Sequence, residues 1–179
     1  MSQYPTTPQQ PGTSPGTAGF AMTSRIMTFA WAGACFFILL AMWFVLGTES
    51  DAWHVTPWVA LGQLGLLVVM HLLIGQIGYR VAPLPTDASP AQVSTMTQQR
   101  WQAAFVVRLV LSELPLIVSL AGAFVLGHGG WTVALGGAVV TGVLIAVHGW
   151  PGRGPVTKVA EALEANGRPS GLREAFGVA

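Results

Sequence analysis

Four long apolar stretches dominate the pattern along the chain: Ile26 to Gly47, Pro57 to Tyr79, Trp101 to Gly127 and Trp131 to Trp150. Each is close to the roughly 20 residues that an α-helix needs to cross about 30 Å of hydrocarbon. Backbone groups cannot stay unpaired in lipid, so a helix, which pairs them internally, is the form these stretches take. The alternating strands of roughly ten residues that build an outer-membrane barrel are absent. The pattern predicts an all-α, polytopic membrane protein, a four-helix transmembrane bundle made of two antiparallel hairpins. The first hairpin turns through "TESDAWHVT" and the second through the tight "GHGG". Between the hairpins runs "RVAPLPTDASPAQVSTMTQQR". Its prolines 83, 85 and 90 keep the first part extended, and from Ser94 onward the composition permits helix.

The flanks differ from the spans. Residues 1–24 are rich in Pro, Gln, Thr, Ser and Gly and carry no charge. Such a segment buries too little apolar surface to offset its ordering entropy, so it reads as a disordered tail. Residues 151–179 form a second tail. Pro155 suits a first helical position and Asn166-Gly167 followed by Pro169 marks a stop, which predicts a helix over about 155–166. Val156, Val159, Ala160 and Leu163 share one apolar face of it, opposite Lys158, Glu161 and Glu164. That face can rest on the bundle or on headgroups, or it can dock a soluble partner.

Composition fixes the solvent and charge fixes the orientation. The chain is 52% hydrophobic and 8% charged, against roughly 25% charged in a soluble domain. Lipid must therefore cover the spans, residues 25–150. The net charge is +1 and no block of Lys or Arg invites nucleic acid. All eight basic residues fall on one side of the four-span topology: Arg25, Arg80, Arg100, Arg108, Arg153, Lys158, Arg168 and Arg173. The two opposite loops contain none. The positive-inside rule then places both termini and the middle loop in the cytoplasm of a multi-pass inner-membrane protein. Tryptophans 53, 58, 101, 131 and 150 stand at span ends, where amphipathic rings favour the interface.

Candidate chemistry is confined to polar residues at membrane depth. An ionisable group there is costly and is a functional-site hypothesis by default. Arg108 lies about 12 Å beyond Arg100 along a helix, so it is expected to snorkel back to the interface. Glu113 lies about 20 Å beyond Arg100, near the midplane, and has no such exit. Five residues separate the two, which puts them on different faces. Arg108 shares its face with Ser112, Pro115, Ser119 and Gly122, a small-residue packing stripe. Pro115 frees the carbonyl of Leu111 beside Glu113, and a protonated carboxyl is one donor for it. His71, with Gly75 and Gly78 on its face, and Gln76 belong to the second span. Thr141 belongs to a stripe on the fourth, with Gly130, Gly137, Leu144 and His148. The sequence thus suggests an intramembrane polar cluster of Glu113, Arg108, His71, Gln76 and Thr141. Either these residues fix helix register, or Glu113 binds a proton or cation with His71 as relay.

"LVLSELPLIVSLAGAFVLG", residues 109–127, resembles the ion-binding helix of the rotary ATP synthase proteolipid, the c subunit. That resemblance implies that Glu113 matches the ion-carrying carboxyl and Pro115 the nearby proline. The sequence departs from the family in its Glu-Leu-Pro spacing, one residue shorter, in Arg108, and in a Gly-rich span that follows the carboxyl helix. With its Pro/Gln-rich head and "HGWPGRG" tail entry, the whole chain also resembles four-span membrane proteins of high-GC actinobacteria. This second likeness implies no activity.

Several classes of chemistry find no support. There is no P-loop, dinucleotide fingerprint, H-E-x-x-H or G-x-S-x-G. The lone Cys35 forms no intrachain disulfide and no metal cluster. His148 is expected near the surface, above the depth of His71, so a bis-His haem site is not expected. No catalytic residue, cofactor or metal ligand is assigned and no enzyme is expected. The function expected is that of a small non-enzymatic membrane protein, a structural or accessory subunit acting through helix packing. Its partners are the bilayer and copies of itself or a larger membrane complex, with no soluble small-molecule substrate. The alternative is a proton- or cation-relay component centred on Glu113.

Overall fold

Every regular element among the described residues is a helix, in the order α1 (Pro15–Leu46), α2 (Pro57–Ile77), α3 (Pro90–Val125), α4 (Gly130–Leu144), α5 (Arg153–Leu163) and α6 (Leu172–Phe176). A π-helical turn, Ile145–Gly149, continues α4. The computed structural model describes residues 15–54, 56–126 and 129–178. The tight turn between α3 and α4 lies partly outside them, at residues 127 and 128. Four segments are long and apolar enough to cross a membrane: Gly19–Leu46, Pro57–Ile77, Gly130–Gly149 and the apolar part of α3. The chain is a multi-pass, all-helical membrane protein.

Two helices begin well before their apolar runs. Ser89 caps α3 in a closed box, accepting from the Gln92 backbone N–H at 3.4 Å while the Gln92 side chain accepts from the Ser89 N–H at 2.8 Å. Such reciprocal capping satisfies two amides that a helix start otherwise leaves open, and Pro90 at the first position needs no partner. α1 starts at Pro15, so residues 15–24 are helical where a disordered tail is expected, while residues 1–14 lie outside the described ones. The reason is tertiary. Phe20 and Ala21 are buried, and the Phe20 ring meets Phe176 edge-on with centroids 5.7 Å apart.

α4 occupies the centre of the bundle and packs against α3, α2 and α1. Its predicted stripe, Gly130, Gly137, Thr141, Leu144 and His148, is buried throughout. At Gly137 the approach is so close that a Cβ would strike the Ser119 side chain and come within 2.9 Å of the Pro115 carbonyl oxygen. The facing stripe of α3, Arg108, Ser112, Pro115 and Ser119, is buried as well. The other two spans are peripheral: only 11% of the most apolar stretch of α1 and 11% of that of α2 is buried, against 44% for α3 and 50% for α4.

The C-terminal tail closes the basic end. Val156, Val159, Ala160 and Leu163 are fully buried, so α5 lays its apolar face on its own bundle. The middle segment is tied to it: the Leu84 N–H donates to the Leu163 carbonyl at 2.8 Å, and Arg168 donates to the Ala88 carbonyl at 2.7 Å. Arg100 holds the same segment from α3, donating to the carbonyls of Ala82 and Pro83, each at 2.8 Å.

Candidate functional site

Pro151 shapes the end of α4. It forces the preceding residue out of the helical region, and Trp150 is extended at φ −68°, ψ 125°. The Trp150 N–H then reaches back five residues to the Ile145 carbonyl at 2.7 Å, which makes the last turn a π turn. π turns of this kind recur at functional sites because they re-aim side chains and backbone groups. Here the carbonyls of His148 and Gly149 find partners on other helices. Thr28 of α1 donates to Gly149 at 3.1 Å, and Arg108 Nε of α3 donates to His148 at 3.0 Å.

Arg108 does not snorkel. It is 0% exposed, and its Nη1 also donates to the carbonyl of Gly78, at the C-terminus of α2, at 3.0 Å. The guanidinium therefore joins the C-terminal ends of α2 and α4, where the helix dipoles present negative charge. Its carbon stands 4.9 Å from the centroid of the Tyr79 ring and 5.0 Å from that of Trp101, whose π faces attract a cation. No carboxylate contacts it among the described residues, and Nη2 has no hydrogen-bond partner among them. Gly78 is required for the approach, since a Cβ there would lie 2.7 Å from Arg108 Cγ. Trp101, expected at the interface, is instead fully buried and donates from Nε1 to Ser24 Oγ of α1 at 3.1 Å.

Beside Arg108 runs a chain of three side chains. Tyr79 Oη and His148 Nδ1 share a hydrogen bond of 2.8 Å, and His148 Nε2 and His71 Nδ1 share one of 2.9 Å. His148, expected near the surface, is 2% exposed. His71 lies on the exposed face of α2 rather than in the bundle interior, and a Cβ on Gly75 would meet no atom of the described residues within 4 Å. Lys158 of α5 stands 4.9 Å from the Tyr79 ring centroid.

The five residues suggested by the sequence do not meet in one cluster. Arg108 and His71 are joined only through His148. Thr141 is fully buried and works elsewhere, its hydroxyl accepting the Leu116 N–H at 3.1 Å, next to Pro115. Gln76 is exposed on α2. Glu113 is half-buried and accepts no hydrogen bond among the described residues. Gln63 is the glutamine of α2 that enters the bundle, donating to the Val133 carbonyl at 2.8 Å.

Tyr79, Trp101 and His148 are the members that sequence reasoning passed over. Each stands at the edge of an apolar run, where an aromatic or histidine reads as an interface residue. The signal that could have found His148 is the "HGWP" sequence, a helix end fixed by proline two residues after a glycine. Set against known proteins, the chain matches no family model, no curated protein and no solved structure.

Proposed function

We propose that this membrane protein works without catalysis, by helix packing, as a structural or accessory subunit of the cytoplasmic (inner) membrane with both termini cytoplasmic. One observation carries the reading. Four polar side chains at membrane depth bond the backbones of neighbouring helices, while α1 and α2 leave most of their apolar surface uncovered. Gln63, Arg108, Thr28 and Thr141 each bond a main-chain group of another span. Outward lie Phe29, Phe36, Phe37 and Phe44 of α1 and Leu61, Leu64, Val68 and Leu72 of α2. Lipid covers such faces, and so does another transmembrane helix.

The test is extraction of the full-length chain from its native membrane in mild detergent, followed by mass spectrometry of the intact assembly. A stoichiometric partner or a homo-oligomer is expected, and a chain that runs alone as a monomer sinks the reading. Orientation is read by labelling, from outside intact cells, cysteines introduced one at a time into a Cys35→Ala background. Ser50→Cys, in the loop without Lys or Arg, should label and Glu174→Cys should not. The reverse result would overturn the placement.

Glu113 favours a second reading, a proton or cation relay, because it is a deep carboxyl with no hydrogen bond among the described residues. Glu113→Gln separates the two. The accessory reading expects unchanged assembly and unchanged flux per complex, whereas the relay reading expects flux to be lost while assembly is kept.

A further inference from the structure

We infer that His71, His148 and Tyr79 form a proton-transfer chain linking the exposed face of α2, inside its span, to the basic end of the bundle. The inference is independent of whether the protein packs against a partner. It also differs from a relay through Glu113, which lies about 8 Å deeper than Arg108 along α3, while this chain runs from His71 toward the basic end.

The geometry is that of a hydrogen-bonded wire. Both ring nitrogens of His148 are engaged, at 2.8 Å to Tyr79 and 2.9 Å to His71. A phenol and two imidazoles can each donate and accept, so the chain exists in two polarities of equal connectivity. In one, the Tyr79 hydroxyl donates to His148 Nδ1 and His148 Nε2–H donates to His71 Nδ1. In the other, His71 Nδ1–H donates to His148 Nε2 and His148 Nδ1–H donates to Tyr79 Oη. Transfer interconverts them. A proton arriving at Tyr79 Oη displaces the hydroxyl proton to His148 Nδ1. The Nε2 proton of His148 passes to His71 Nδ1, and His71 releases its own Nε2 proton outward. One proton enters, one leaves, and no charge remains on the chain.

The surroundings suit this step. From α3, Arg108 holds the His148 carbonyl and stands over the Tyr79 ring. From α5, Lys158 stands by the same ring, and from α1, Thr28 holds the next carbonyl of the π turn. Of the three members, His71 is the one that touches neither cation, which makes it the outward end of the chain. The π turn and the arginine fix the backbone of His148, which keeps both its ring nitrogens in register.

The full-length chain in liposomes, labelled with 15N-histidine and 13C-tyrosine, tests this by solid-state NMR across pH 5 to 8. The sequence helps, since there are only four histidines and two tyrosines. The expected result is that, as pH is lowered across this range, the protonated and bare nitrogens of His148 exchange and the Tyr79 ring carbon next to its hydroxyl shifts in step with them. In His71→Gln, a change at an exposed position, that pH response should be lost at both His148 and Tyr79. In Tyr79→Phe, His148 should hold a single tautomer at all pH values. A His148 that keeps one tautomer while Tyr79 stays unchanged across the whole range in the wild-type chain would overturn the inference. That wild-type measurement decides even where a variant fails to fold.

Discussion

Arg108 shows how a charge can be kept inside a membrane bundle with no ion pair among the described residues. Nε and Nη1 of its fork reach main-chain carbonyls from different helices, Nη2 has no hydrogen-bond partner among the described residues, and its planar faces meet aromatic rings. Lysine cannot copy this, because one ammonium has no fixed fork to reach both helix ends. Arg108→Ala is expected to remove about 3 kcal/mol or more, since two buried carbonyls lose their donor and a hole opens beside Trp101. Arg108→Lys should lose roughly 1–2 kcal/mol. Thermal unfolding in detergent measures both, and an alanine variant as stable as the wild type would contradict the assignment. The depth of Arg108 was legible in the sequence, and so was the small-residue face it sits on. That α4 covers this face was not, and coverage is what turns a snorkelling residue into a buried one. Glu113 is the converse case: its depth was read from spacing, but only packing joined His71 to His148 and left Glu113 half-buried without a hydrogen bond among the described residues.

Among the elements, the α3–α4 pair holds the bundle together. Gly137 lets the two backbones meet at Ser119, whereas a Cβ on Gly33 of α1 would meet nothing within 4 Å. Gly137→Leu should therefore force the pair apart and abolish the folded bundle, while Gly33→Leu should leave unfolding unchanged. Thr141→Val keeps shape but deletes the acceptor for the Leu116 N–H. A loss of about 1 kcal/mol is expected, the size of a buried interhelical hydrogen bond in lipid. Denaturant titration of the reconstituted protein reads all three, and equal stability of the two glycine variants would refute the close-contact account. Both stripes behind this interface were visible as small residues at helical spacing. The π turn was not, because it arises from the join of a helix to Trp150-Pro151 and is held by donors 121 and 40 residues away in sequence.

The whole molecule is closed at its basic end by a tail that folds back on the helices. Glu164 organises that tail, accepting from Ser170 N–H at 3.0 Å, from Ser170 Oγ at 2.7 Å and from Arg173 Nη1 at 2.6 Å. Partial burial pushes its carboxyl up, but the Ser170 and Arg173 donors together outweigh that and hold it below the usual carboxylate range. A carboxyl whose folded pKa is depressed stabilises above its unfolded pKa, and the contribution disappears as pH falls through the folded value. The tail should thus hold firm at neutral pH and loosen only below about pH 4. Hydrogen exchange of residues 164–176 should rise there in the wild type and already be raised at pH 7 in Glu164→Gln. Unchanged exchange in that variant would show that the apolar face of α5 alone holds the tail.

At this scale the division between sequence and tertiary structure is clear. Length and hydropathy alone determine four spans, because crossing hydrocarbon demands about 20 apolar residues and internal backbone pairing. Local spacing likewise determines the buried stripe of α4 and the apolar face of α5. Which helix lies at the centre, what Arg108 binds and how His71, His148 and Tyr79 come to be joined were decided only in three dimensions. Those contacts link residues 30 to 77 positions apart, and periodicity along one helix carries no information about which neighbour will face it.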